Sequence, residues 1–147
     1  MVVMALSPQN RQIYDPIRKK WFDALPEEIV RQKVLSHLVN DLGFPPRYIV
    51  VEKKLSELPN LSHLNLPERR IDILCMEAKT FRPLLLVECK GVSLQEKMFA
   101  QALGYNAYIQ APLICLANDT NFLLRWEKDT LKNLQNQLPS YDQLKCS

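Results

Sequence analysis

The chain has 147 residues, 47% of them apolar and 24% charged, the mix of one ordinary globular domain, which excludes disorder as its main state. Its net charge of +3, from 19 basic and 16 acidic residues, permits a nucleic-acid partner without demanding one. Only three glycines occur, Gly43, Gly91 and Gly104, too scattered for a GxxxxGK[ST] phosphate loop or a GxGxxG dinucleotide turn, so nucleotide-driven motors and Rossmann oxidoreductases are excluded.

Residues 1–24 read as an irregular N-terminal extension containing Pro8 and Pro16. It is the most basic stretch, with Arg11, Arg18, Lys19 and Lys20 against Asp15 and Asp23, and reads more readily as a solvated face than as a phosphate contact. A domain-sized segment, residues 25–127, follows. Pro26 and the acids Glu27 and Glu28 suit a first helical turn, and apolar residues from Ile29 to Leu42 recur at helical spacing until Gly43 and Pro45-Pro46 stop the helix. Ile49, Val50 and Val51 predict a strand over 48–54, and residues 55–68 a connecting loop. Two more strands are expected over 69–76 and 83–90, the second a continuous apolar run of the kind buried on both faces.

Ser93 with Glu96 has the pattern of a capping box and predicts a helix to about Ile109. Strands over 112–117 and 122–126 flank the turn-forming Asn118–Asn121, and residues 128–147 read as a tail with a short helix over 130–138. The order α-β-β-β-α-β-β describes an α/β fold, a mixed β-sheet flanked by helices.

Cys75, Cys89, Cys115 and Cys146 form no CxxC, and three of them lie in apolar runs, where free cysteine behaves as a small hydrophobe. With only His37 and His63, no zinc spacing exists. The first residues lack signal-peptide features, and runs such as Pro83–Val87 are too short to cross a bilayer, so a cytoplasmic protein with reduced thiols and no membrane association is expected. Trp21, Phe22, Phe81, Phe99 and Trp126 read as packing residues rather than base-stacking platforms.

The ordinary pattern breaks at Leu86-Val87-Glu88-Cys89-Lys90, where two charges end the most apolar strand. Alternation places Glu88 and Lys90 on one face. Asp72, between Ile71 and Ile73, lies within reach of Glu88 if the two strands pair antiparallel. Two adjacent carboxylates repel unless a cation lies between them, and hard oxygen ligands suit Mg²⁺ or Mn²⁺. A lysine beside them can orient a water or stabilise charge on a phosphate. The competing reading is an Asp72–Lys90–Glu88 ion-pair network that closes the sheet.

Several segments, in order, resemble the PD-(D/E)XK nuclease superfamily, and within it the N-terminal nuclease domain of type I restriction enzyme R subunits. They are Pro26–Gln32 on the first helix, Arg69–Ile73 on the acid-bearing strand, Leu86–Gly91 on the ExK strand, Gln101–Asn106 as a QxxxY helix, and Leu116–Asp119. Ile71 stands where many members have proline, and Asp119 where many have glycine; neither position is a ligand.

The resemblance implies a restriction-endonuclease-like fold and Mg²⁺- or Mn²⁺-dependent hydrolysis of DNA. It implies that Asp72 and Glu88, with the Cys89 backbone carbonyl, hold the metal while Lys90 assists the water. Glu28 rather than Glu27 joins the cluster as a third acid, and Gln101 supports the site. Arg31, Arg69, Arg70 and Tyr105 are the implied DNA contacts, although Tyr105 reads equally well as a core aromatic with Gln101 at the rim. Because relatives place this domain ahead of a helicase motor, a separate helicase or other partner subunit is a further expectation. The alternatives are a DNA-binding or assembly module that keeps the fold without turnover, and a structural domain that binds no metal.

Overall fold

The computed structural model describes residues 11–58, 61, 65–66, 68–127 and 137–146. Its centre is a five-stranded sheet of β3 (Ile49–Lys54), β4 (Arg70–Met76), β5 (Pro83–Cys89), β6 (Leu113–Ala117) and β7 (Phe122–Trp126), in that spatial order. β5 and β6 are parallel, joined across α2 (Phe99–Ile109), and the other neighbours are antiparallel. A separate hairpin, β1 (Gln12–Asp15) and β2 (Lys20–Asp23), precedes α1 (Pro26–Ser36), and α3 (Tyr141–Lys145) ends the described chain.

Side-chain alternation builds two cores. Ile73, Cys75, Leu85, Val87, Leu113 and Cys115 pack beneath Val30, Val34, Leu35 and Leu38, the buried stripe of α1 and its continuation, with Leu144 of α3. On the other face Leu74, Leu86, Ile114 and Leu116 pack against Phe99, Ala102, Tyr105 and Ile109 of α2. β5 is therefore apolar from Pro83 to Val87 because it faces a helix layer on either side. Gly43, at φ +75°, lets the chain reverse after a π turn over His37–Asp41 extends α1, and the amide of Phe44 donates to the carbonyl of Leu38.

The structure corrects three readings of the sequence. Part of the N-terminal stretch expected to be irregular is the β1–β2 hairpin. Its turn is organised by the buried Asp15, whose Oδ1 accepts the amides of Ile17 and Arg18 at 2.7 and 3.0 Å. Pro16 lies in that turn and hid the flanking alternation. Ser93 caps no helix: Gln95 is still extended, a 3₁₀ turn covers Glu96–Met98, and α2 begins at Phe99. The reason is a tether, since Asn118 Nδ2 donates to the carbonyl of Val92 at 3.1 Å and holds the segment near the end of β6. Trp21 and Phe81 are exposed rather than packed, unlike Phe99.

Leu55–Glu57, in the expected loop, forms a 3₁₀ turn. The helix expected over 130–138 falls mostly outside the described residues, and α3 lies beyond it. Among the described residues no helix is long and apolar enough to cross a membrane.

Leu86, fully buried in the central strand, is the most direct test of this two-faced core. Leu86→Ala is expected to cost about 2–5 kcal/mol, read as a lower urea midpoint with an unchanged slope.

Candidate active site

The charged side chains gather where β3 and β5 end and β4 begins, beside the start of α1. Val51 faces Ile73 and Lys53 faces Ile71, which sets Glu52 opposite Asp72. Ile73 faces Val87, so one step further along the ladder Asp72 stands opposite Glu88. The antiparallel pairing inferred from sequence is thus present, and it aligns three acids from three adjacent strands.

Local irregularity turns Glu52 and Asp72 toward α1. Ile71 packs with the α2-side core, as Leu74 does, where strict alternation would put Asp72. Glu52, across the ladder, has φ +55°, a left-handed conformation that is sparsely populated for a glutamate and persists only when its surroundings impose it. Gly91 lets the chain after the ExK strand approach α1: a Cβ there would meet Pro26 Cβ at 3.1 Å. The first turn of α1 therefore lies directly beside the end of β5.

One guanidinium connects the cluster. Arg31 Nη1 donates to Glu28 Oε1 at 2.7 Å, and its Nη2 donates to Glu52 Oε1 at 2.7 Å and Asp72 Oδ1 at 2.5 Å. Arg18, from the hairpin turn, donates through Nη2 to both Glu28 oxygens at 2.7 and 2.8 Å, while its Nε binds Asp15. The Arg18 guanidinium lies 3.5 Å over the Phe22 ring. Gln32 Nε2 donates to Glu28 as well. Burial works against the charge of Arg31, but Asp72 first, then Glu28 and Glu52, outweigh it and raise its pKa. Glu52 is shifted upward, with burial the main cause, opposed by Arg31 and reinforced by Asp72.

Glu88 stands apart from this network. It is buried, and its Oε1 has no hydrogen-bond partner, as is also true of Arg31 Nε. Burial and the neighbouring Asp72 carboxylate push the Glu88 carboxyl up to about 9, against the opposing pull of Lys90. Asp72 Oδ2 accepts the amide of Cys89 at 2.9 Å, which fixes the Asp72 carboxylate against the ExK strand. Lys90 sits half-buried at the rim, its amide bonded to the carbonyl of Ala117. Among the described residues Lys90 forms no ion pair, so the Asp72–Lys90–Glu88 network is not what forms; Arg31 takes the partner's role for Asp72.

The remaining candidates divide. Glu28 is buried in the cluster and Glu27 is exposed. Gln101 Nε2 donates to the Tyr105 hydroxyl at 3.1 Å, and Tyr105 is buried in the α2-side core, so its ring offers no surface to DNA. Arg69 and Arg70 are exposed, and Arg70 Nη1 donates to the carbonyl of Glu52. Two residues of the cluster escaped sequence reasoning. Arg18 sat in a basic stretch read as solvated, although Asp15 three residues earlier is a signal for a local pair. Glu52 follows Ile49-Val50-Val51 and is as anomalous in its strand as Asp72 is.

The donor set suits a divalent cation at one place. Among the described residues no group of three or more His, Cys, Asp or Glu side chains converges into a complete metal cage. Mg²⁺, however, is held by one or two carboxylates with water and phosphate oxygens completing the shell. The Asp72–Glu88 pair, with a buried unpartnered oxygen on Glu88, matches that requirement.

A mixed sheet between two helix layers, with acids facing each other across β4–β5 and a lysine just after the second, is the framework of restriction-endonuclease-like proteins. The sequence matches the family model described as type I restriction enzyme R protein N terminus over residues 26–140, and the chain belongs to that family. A comparison with curated proteins gives no match.

Two outcomes follow from the electrostatics. The native state holds a proton on Glu88 between its ordinary value of 4.5 and about 9, where the unfolded chain does not. The native state therefore binds more protons in that window, and stability falls as pH rises through it. Thermal unfolding in EDTA is expected to show Glu88→Gln gaining on the wild type between pH 5 and pH 9; parallel curves would contradict the assignment. Arg31→Ala leaves Glu28, Glu52 and Asp72 without their shared partner and is expected to cost about 3–5 kcal/mol by urea unfolding.

Proposed function

We propose that this chain hydrolyses phosphodiester bonds in DNA with the help of Mg²⁺ or Mn²⁺. The observation that carries this reading is the Asp72–Glu88 pair, two opposed carboxylates with an unsatisfied buried oxygen, in a chain of the R protein N-terminal family. Asp72 and Glu88, with the backbone carbonyl of Cys89, would hold the ion. When bound, such an ion lowers the pKa of water and offsets charge on the phosphate.

The side chains then have defined tasks. Glu88 would release its proton to solvent on binding an ion, so that both carboxylates could serve as oxygen ligands. Asp72 is oriented through Oδ2 by the Cys89 amide, and its Oδ1, bonded to Arg31, is the oxygen that would turn to an ion. Arg31 retains Glu28 and Glu52 and stays in place. Lys90, at the rim and free of ion pairs among the described residues, orients the attacking water and stabilises negative charge on the phosphate. Glu28 holds the two arginines, and Gln101 supports the α2 side.

A second reading has its own observation. Arg31 already neutralises Asp72, so the cluster can also be a finished structural network in a module that binds DNA or a partner subunit without cutting. Supercoiled plasmid DNA separates the two. Wild-type protein with Mg²⁺ or Mn²⁺ is expected to nick it, and Asp72→Ala, Glu88→Ala and Lys90→Ala are each expected to abolish nicking while circular dichroism stays native. DNA binding without metal-dependent cleavage by the wild type would establish the binding module instead.

A further inference from the structure

A cleft of about 700 Å³ lies between the N-terminal hairpin and β3, and Glu28 and Glu52 of the acidic cluster line it. One wall is Ile49–Lys53; the other is Ile17, Arg18, Lys20 and Phe22; Glu28 and Arg70 close the cleft toward the acidic cluster. Its two acids, Glu28 and Glu52, are already bonded to Arg18 and Arg31. Of its other cations, Lys20 and Arg70 have no carboxylate partner among the described residues, and Lys53 reaches only the exposed Glu57, at 3.8 Å. An exposed pair at that distance contributes little and yields readily to a better anion. β3 is the edge strand of the sheet, so main-chain N–H groups on its outer side are not used by a neighbouring strand. The cleft thus presents unspent positive charge and backbone donors beside Glu52, which Arg31 joins to Asp72.

We propose that this cleft seats the sugar–phosphate backbone of the DNA strand that leads into the acidic site, with Lys20, Lys53 and Arg70 contacting successive phosphates. The proposal rests on the reading of DNA as the ligand and adds the path by which it is held. The hairpin precedes the residues that match the family, 26–140, so this wall of the cleft lies outside the family model. Its turn is built for rigidity: Asp15 ties the amides of Ile17 and Arg18, and Phe22 supports the Arg18 guanidinium. A rigid second wall is what makes a groove out of an exposed sheet edge. Lysine contacts to phosphate carry no sequence information, so this surface sets affinity and register rather than specificity.

The test is the salt dependence of binding to a fluorescent duplex oligonucleotide, in EDTA so that no cutting occurs. The variants are Lys20→Ala/Lys53→Ala and, as a control of equal charge change, Lys79→Ala/Lys145→Ala. Lys79 lies in the turn joining β4 and β5, away from the cleft, and Lys145 ends α3. All four lysines are on the surface, and thermal unfolding verifies that both variants fold. The cleft variant is expected to lower the slope of log affinity against log salt by about two, and the control by much less. Equal changes in both variants, no change in the cleft variant, or no DNA binding by the wild type would overturn the proposal. Loss of the slope in the cleft variant, with a wild type that never nicks plasmid, would leave the cleft assigned and remove the hydrolase.

Discussion

The Arg31 guanidinium is the constraint on which the site depends. Strands β3 and β4 and helix α1 each bring a carboxylate to the same corner, and the low-dielectric interior tolerates such a gathering only with opposing charge. Arg31 supplies it to Glu28, Glu52 and Asp72 at once. The hairpin's Arg18 adds a second positive group on Glu28 and ties the N-terminal segment to the sheet. Buried ion pairs of this kind add little net stability over apolar packing, because desolvation of both partners cancels most of the attraction. Four elements therefore converge on an arrangement that packing alone does not favour.

Glu88 is the acid that Arg31 does not satisfy. Its neighbour Asp72 is occupied by Arg31 on one oxygen and by the Cys89 amide on the other, so Glu88 meets a negative neighbour with its own Oε1 unpartnered. The protein resolves the conflict by raising the Glu88 pKa. A divalent cation would resolve it differently, by making both carboxylates useful at once. The left-handed Glu52 and the break in alternation at Ile71 belong to the same design, since both turn side chains toward the corner at the expense of regular strand geometry.

The framework around the corner is stiff for simple reasons. β5 is buried on both faces, and α1 and α2 clamp it from opposite sides. Gly91 allows α1 to approach the end of that strand closely enough for Glu28 and Arg31 to reach the acids. The open side is the edge of β3, bounded by the hairpin.

The framework was legible in the sequence because its signals are local. The apolar run of β5, the alternation in β4, the helical spacing after Pro26 and the glycine stop at Gly43 each reflect short-range geometry, and Asp72 and Glu88 stood out as charges where apolar residues belong. Their opposition followed from antiparallel pairing alone. The partner of Asp72 was not legible: Lys90 is near in sequence, yet Arg31 fills the role from 41 residues away. Arg18 and Glu52 were missed for the same reason, since an ion pair is decided by where elements dock and not by spacing along the chain. Sequence by itself determined the sheet, its two helix layers and the two facing acids, because backbone periodicity and hydrophobic burial encode them. Only the tertiary structure decided how those acids are neutralised, because charge compensation depends on through-space distance, which the hairpin and α1 set when they close over the strand ends.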